Sequence, residues 1–160
     1  MQRKQAPFQR IVGIDLAYAK PIWIALMSSR GQIILTVNLE PEKSEDLVWL
    51  AHRIVTLVRS YGPCLVAVEQ PYYKNNIAVL VNFTVLITAL RIFFEQTDCR
   101  LVAIPPSRWQ NEMLHRPGRG VDRKQLAFAN AKKLCASVAN SDEADAILIG
   151  RYTWNHRKEL

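Results

Sequence analysis

The chain has 160 residues, which is room for one domain spanning 1–160 with a proper core, whereas two domains would both be undersized. Its 49% hydrophobic and 22% charged residues are those of a soluble globular protein and exclude a disordered or low-complexity chain. Lys and Arg outnumber Asp and Glu by 21 to 14, a formal charge of +7 that favours a polyanionic partner, nucleic acid or an anionic membrane surface. Cys64, Cys99 and Cys135 lie far apart in no metal-ligand spacing and read as reduced core residues of an intracellular protein.

In chain order, the basic start Met1 to Arg10 leads into an apolar run that Asp15 interrupts, which argues against a signal peptide. Ile11 to Ile14 reads as a buried strand ending at Asp15. Pro21 to Met27 and Gln32 to Leu39 read as two further strands, joined by a hairpin turn at Ser28-Ser-Arg-Gly31. Ser44 is the expected cap of a helix with Glu45 and Asp46 in its first turn; its apolar face runs Leu47, Leu50, Ile54, Leu57, Val58 and stops at Tyr61-Gly-Pro63. Cys64 to Val68 is a fourth strand, followed at once by Glu69-Gln-Pro71.

A long apolar helix is expected from about Asn76 to Glu95. Its Asn82, Thr84, Thr88 and Arg91 argue for a core or interface helix over a membrane span. Leu101 to Ile104 is a fifth strand closed by Pro105-Pro106, and Ser107 to Leu114 is a short helix or turn. His115 to Val121 reads as a mobile loop, Asp122 caps a basic helix to about Ala136, and Ser141 caps a last helix to about Asn155. Three meandering strands followed by strands alternating with helices give an α/β fold, one five-stranded mixed sheet with helices on both faces.

This order places the acidic residues. Asp15 and Glu69 each follow an apolar strand, so parallel neighbours would present both carboxylates at one sheet end. Asp142 and Asp145 are three apart on the last helix and share a face, with Glu143 roughly a hundred degrees away. Four converging carboxylates repel one another unless a cation sits among them. Mg²⁺ suits all-oxygen ligands and phosphate substrates, and two such ions can activate a water and stabilise a leaving 3′-oxygen.

Val12-Gly-Ile-Asp15, Val68-Glu-Gln70 with Tyr72-Tyr73-Lys74-Asn75-Asn76, and Asp142-Glu-Ala-Asp-Ala146 together resemble the RuvC-like Holliday-junction resolvases, the shorter bacteriophage members most of all. The resemblance spans nearly the whole chain in the right order. It implies an RNase H-like fold and a homodimer placing paired symmetric nicks across a four-way DNA junction. By the same resemblance Asp15, Glu69, Asp142 and Asp145 are the ligands of two Mg²⁺ per subunit, with Mn²⁺ as a substitute. The expected setting is the cytoplasm of a bacterial or phage-infected cell. Leu16-Ala17-Tyr18 and Pro105 to Trp109 depart from the family pattern, which bears on junction selectivity more than on chemistry.

Arg108, Arg116, Arg119, Arg123, Lys124, Lys132 and Lys133 face only Glu112 and Asp122 in the same stretch, a composition suited to holding phosphates. Lys132 and Lys133 read equally well as a solvated helix face. The resemblance places a catalytically important basic residue at Arg123 or Lys124 and a wedge-like aromatic at Tyr72. Tyr73 and Lys74 are further DNA-contact candidates, although Tyr73 also reads as packing against the sheet. Trp109 is left open between core and DNA, and His115 reads as a phosphate contact. The excess apolar surface of the long helix suggests a twofold interface. Two alternatives stand beside the resolvase reading: a non-catalytic junction-binding protein, and an RNA-processing nuclease on the same scaffold.

Overall fold

The structure is a computed structural model that describes residues 8–42, 46–72, 75–116 and 118–160. Among the described residues the elements are, in order, β1 (Arg10–Asp15), β2 (Ile22–Ser28), β3 (Ile33–Leu39), α1 (Leu47–Arg59), β4 (Cys64–Glu69), α2 (Ile77–Phe94), β5 (Arg100–Ile104), α3 (Pro106–Met113), α4 (Arg123–Leu134) and α5 (Ser141–His156). The strands form one sheet in the order β3-β2-β1-β4-β5. β2 is antiparallel to both β1 and β3, while β1, β4 and β5 run parallel. This is the expected five-stranded mixed sheet, and its central strands are apolar on both faces because helices cover both.

Alternation along the strands sorts the core into two layers. Val12, Ile14, Val66 and Val68 pack against α1 and α2, through Leu50, Ile54, Leu86 and Leu90. Ile11, Leu65 and Ala67 face the other way, onto Ala144, Ile147 and Leu148 of α5 and Ala127 and Ala131 of α4. By the same period of two, Asp15 and Glu69 point to the α5 side. β1 and β4 are paired through Ile14↔Val68, so these two acids are the next residues in register.

Helix α5 lies directly on β1. A Cβ built on Gly13 would fall 2.2 Å from the carbonyl oxygen of Ala146 and 2.4 Å from the backbone nitrogen of Gly150, closer than any side chain can come. Gly150 in turn leaves room for Met27, whose Cε would be 3.0 Å from an added Cβ. Two glycines thus let a helix and a strand touch backbone to backbone.

Two expected caps sit elsewhere. Asp46, not Ser44, caps α1, its side chain accepting from the Trp49 N–H at 2.8 Å; Ser44 and Glu45 lie outside the described residues. Asn140, not Ser141, caps α5 by accepting from the Glu143 N–H at 2.9 Å, and Ser141 becomes the first helical residue. The shift follows from Glu143, whose carboxylate reaches back to the Ala139 N–H at 2.7 Å, a reciprocal cap set one residue further out than usual. Asp122 caps α4 as expected, accepting from the N–H groups of Lys124 and Gln125. Among the described residues α2 is long and apolar enough to cross a membrane, yet its inner face is built into the core through Leu86, Ile87, Leu90 and Phe94.

Gly13→Ala is expected to destabilise the protein by about 3 kcal/mol or more, the upper range for overpacking, since the clash is with backbone that cannot rotate away. Urea unfolding of the variant measures it; a change under about 1 kcal/mol would mean that α5 does not seat on β1 this tightly.

Candidate metal centre

Three carboxylates meet where β1 ends against the first turns of α5. Asp15, Asp142 and Asp145 each offer an oxygen within 4.8 Å of the other two, close enough to share an ion. The local sequence causes this: Asp15 ends a buried strand, and a rise of three residues along α5 stacks the other two acids over it. Asp142 also lies in the first turn of α5, where the helix dipole favours an anion.

Glu69, the fourth expected ligand, is beside this group but turned partly to another partner. Its Oε2 accepts a hydrogen bond from the Trp109 indole Nε1 at 2.7 Å. Its charge is nevertheless the largest electrostatic influence raising Asp145, and it also acts on Asp15. Trp109 is therefore neither a plain core residue nor a DNA contact: it is 2% exposed and aims a candidate ligand.

Two lysines border the acids. Lys20 Nζ lies 2.8 Å from Asp142 Oδ2, and Lys124 Nζ lies 3.6 Å from Asp142 Oδ1. Sequence reasoning missed Lys20. The signal that would have found it is a lone cation in the short turn between the strand ending at Asp15 and its hairpin partner. Of the pair Arg123 and Lys124, it is Lys124 that reaches the acids, while Arg123 donates to Gln110 Oε1 at 3.0 Å, away from them.

The charge state follows from burial. Asp15 is pushed up to about 8, by burial first and then by the charges of Asp145, Asp142 and Glu69, with Lys20 opposing. Asp145 is pushed up to about 7 by burial, then by Glu69 and Asp142. Burial also acts upward on Asp142, but the hydrogen bond and charge of Lys20 and the charge of Lys124 outweigh it and hold Asp142 below the usual range. Two half-buried carboxyls that cannot both ionise comfortably form a site short of positive charge. An all-oxygen donor set is what Mg²⁺ or Mn²⁺ prefers, so the residues fit a divalent ion.

Glu143, between the two α5 acids, belongs to the fold rather than to the site. It is 3% exposed and accepts from Thr36 Oγ1 at 2.6 Å as well as from Ala139 N–H, tying the start of α5 to β3.

The remaining predicted contacts lie around this end of the sheet or beyond it. Tyr72 is exposed just past Glu69; Tyr73 and Lys74 lie outside the described residues. Arg108, Arg116, Arg119, Lys132 and Lys133 are exposed. His115 and Arg116 both have positive φ, 54° and 52°, a costly conformation for side-chain-bearing residues at the end of α3.

The fold matches that of known junction-resolving enzymes. Thermus thermophilus RuvC in complex with a Holliday junction substrate superposes with a TM-score of 0.73 at 14% identity, covering 94% of this chain and 96% of RuvC. A second T. thermophilus RuvC structure gives 0.71 at 16% identity, with the same two coverages. The fowlpox virus Holliday junction resolvase gives 0.62 at 12% identity, covering 94% of this chain and 99% of the viral one. A scan against protein-family models and a search of curated proteins return no match. The likeness establishes an RNase H-like fold.

Asp15 and Asp145 bind protons more tightly folded than unfolded, so their contribution to stability is full below about pH 4 and is lost as pH rises through about 7 to 8. In chelator the melting temperature is expected to fall over that window, and adding Mg²⁺ is expected to restore it. A metal-free melting curve that is flat or rises from about pH 6 to 9 would contradict the arrangement.

Proposed function

We propose that this protein is a metal-dependent endonuclease that cuts branched DNA, with the four-way Holliday junction as its main substrate. The observation that carries the proposal is the meeting of Asp15, Asp142 and Asp145 at one sheet end, on a fold shared with resolvases. Asp15, Asp142, Asp145 and Glu69 would hold two Mg²⁺ per subunit, with Mn²⁺ able to replace them. When bound, the ions supply activation of an attacking water and stabilisation of the leaving 3′-oxygen.

The chain's own residues do the rest. Trp109 fixes the direction of Glu69. Lys20 and Lys124 both pair with Asp142 and would take up phosphate charge once they are released from it. Arg108, Arg116, Arg119 and Arg123 lie on the exposed surface of α3, the following loop and the start of α4, where they would grip backbone phosphates and make binding strongly salt-dependent. Tyr72, exposed beside Glu69, would stack on an unpaired base. Retention of the full acidic set favours catalysis over mere junction binding. The RNA-nuclease alternative shares the fold and is separated from this one by substrate.

The decisive measurement compares four-way junction, flap, linear DNA duplex and RNA duplex as substrates, with Mg²⁺ and with chelator. Cutting of the four-way junction, only with metal, is expected. Asp15→Asn is expected to lower cleavage by about 10²- to 10³-fold, a loss of the size seen when one charge-stabilising group is removed, while junction binding persists. Preference for RNA duplex, or cutting in chelator, would overturn the proposal.

The same reading includes a homodimer. Ile77, Val81, Val85 and Ile92 are exposed along one face of α2, and Val48 and Trp49 of α1 continue the apolar surface. Between the two helices lies an apolar cavity of about 350 Å³ lined by Val48, Val85, Ala89, Ile92 and Phe93. A second copy is the occupant favoured here, because a junction has two equivalent strands to cut. Val85→Glu is expected to convert a dimer to monomers in sedimentation without unfolding. Equal sedimentation of variant and parent would remove this face from consideration.

A further inference from the structure

We propose that Cys64 and Cys99 form a redox-active dithiol that small disulfides of the glutathione type oxidise to an intramolecular disulfide. The pair lies at the end of the sheet opposite the acidic cluster and is independent of the nuclease reading.

Register brings the two together. β4 and β5 are paired from Leu65↔Arg100 onward, so Cys64 and Cys99 face each other one step before the first pair. Neighbouring strands run about 4.8 Å apart, inside the range of Cα separations that disulfides span. Cys64 Sγ lies 3.1 Å and Cys99 Sγ 3.5 Å from the same atom, the carbonyl oxygen of Gly62. Each thiol also acts on the ionisation of the other.

Their surroundings differ in the way that attacking and resolving thiols require. Cys99 lines an open cavity of about 310 Å³ with Arg59, Gly62, Thr97 and Asp98, whereas Cys64 is fully buried behind it. The hydrogen bond from Cys64 draws the Cys99 thiol down to about 6 despite partial burial, with Thr97 adding to the effect. The same bond, with burial, pushes Cys64 up. Cys99 is thus the accessible thiol and the one whose ionisation its surroundings favour. Cys135 sits apart, against Ser137 after α4, and serves as an internal control.

The exchange balances as follows. The Cys99 thiolate attacks one sulfur of oxidised glutathione, forming a protein–glutathione disulfide and releasing one glutathione thiolate. Cys64 attacks Cys99 Sγ and passes its proton to the departing glutathione sulfur, forming the Cys64–Cys99 bond and releasing the second glutathione as its thiol. The protein loses two electrons and two protons, and the reagent is reduced to two thiols. The new bond closes a covalent loop that contains Glu69 and all of α2, which limits the unfolded chain and raises stability.

The test incubates the full chain with oxidised glutathione in chelator and reads intact mass, peptide map and melting temperature. The expected product has lost two hydrogens, carries a 64–99 link and no glutathione, melts at a higher temperature and reverts with dithiothreitol. Cys64→Ser is expected to stop at a glutathione adduct on Cys99, and Cys135→Ser to behave as the parent. A stable adduct on Cys99 of the parent chain, a link through Cys135, or an unmodified parent would each overturn the proposal. The parent result decides the matter even if a cysteine variant folds poorly.

Discussion

The seating of α5 on β1 governs the geometry of everything at the acidic end of the sheet. Gly13 and Gly150 remove the side chains that would hold the two backbones apart, and the helix settles onto the strand. Asp15 is two residues beyond Gly13, and Asp142 and Asp145 lie about two turns and one turn before Gly150. A helix standing further off would still be amphipathic and still be packed, but its acids would not reach Asp15. Elsewhere α5 is held at both ends. Glu143 binds Thr36 of β3 near its start, and Trp154 Nε1 and Arg151 donate to the carbonyls of Ser29 and Gly31 in the β2–β3 hairpin near its end. The acids are thereby brought together by the packing of α5 against the sheet.

Bringing carboxylates together in a half-buried place is unfavourable in itself. Two opposing effects make it tolerable: protons stay on Asp15 and Asp145 near neutral pH, and Lys20 and Lys124 neutralise Asp142. Burial works against the charge of Lys20, but the hydrogen bond to Asp142 and the attraction of Asp15 and Asp145 outweigh it, so this lysine is held above its usual range. Protons and an ammonium group therefore supply the positive charge that a divalent ion would otherwise bring. An arriving ion would have to displace both, which makes its affinity depend on pH and on the freedom of Lys20 to swing away.

Most of the architecture was legible because it rests on periodicity. Apolar runs at Ile11 to Ile14 and Cys64 to Val68, followed directly by acids, mark buried strands that end in carboxylates. The three-residue step from Asp142 to Asp145 marks a shared helix face. What was not legible depends on side-chain partners distant in the chain. Nothing local distinguishes Glu143 from its acidic neighbours; only the arrival of Thr36 makes it structural. Trp109 gains its role from Glu69, forty residues earlier, and Lys20 from Asp142, 122 residues later. The helix starts moved for a smaller reason: several residues with capping side chains stand in a row, and backbone conformation selects among them.

Helix α3 has only eight residues and no side-chain cap, so on its own it would be a poor anchor for anything. It is held instead through what it touches. Trp109 grasps Glu69, while Glu112 binds Asn155 at 2.8 Å and His156 at 2.6 Å on α5. Directly after it come the two left-handed residues His115 and Arg116 and the basic segment. A strand of nucleic acid drawn against that segment would tug on the same short rod that steers Glu69. On the proposed function, α3 would act as a lever about 12 Å long between that segment and Glu69, and a poorly seated duplex would leave this carboxylate misaimed.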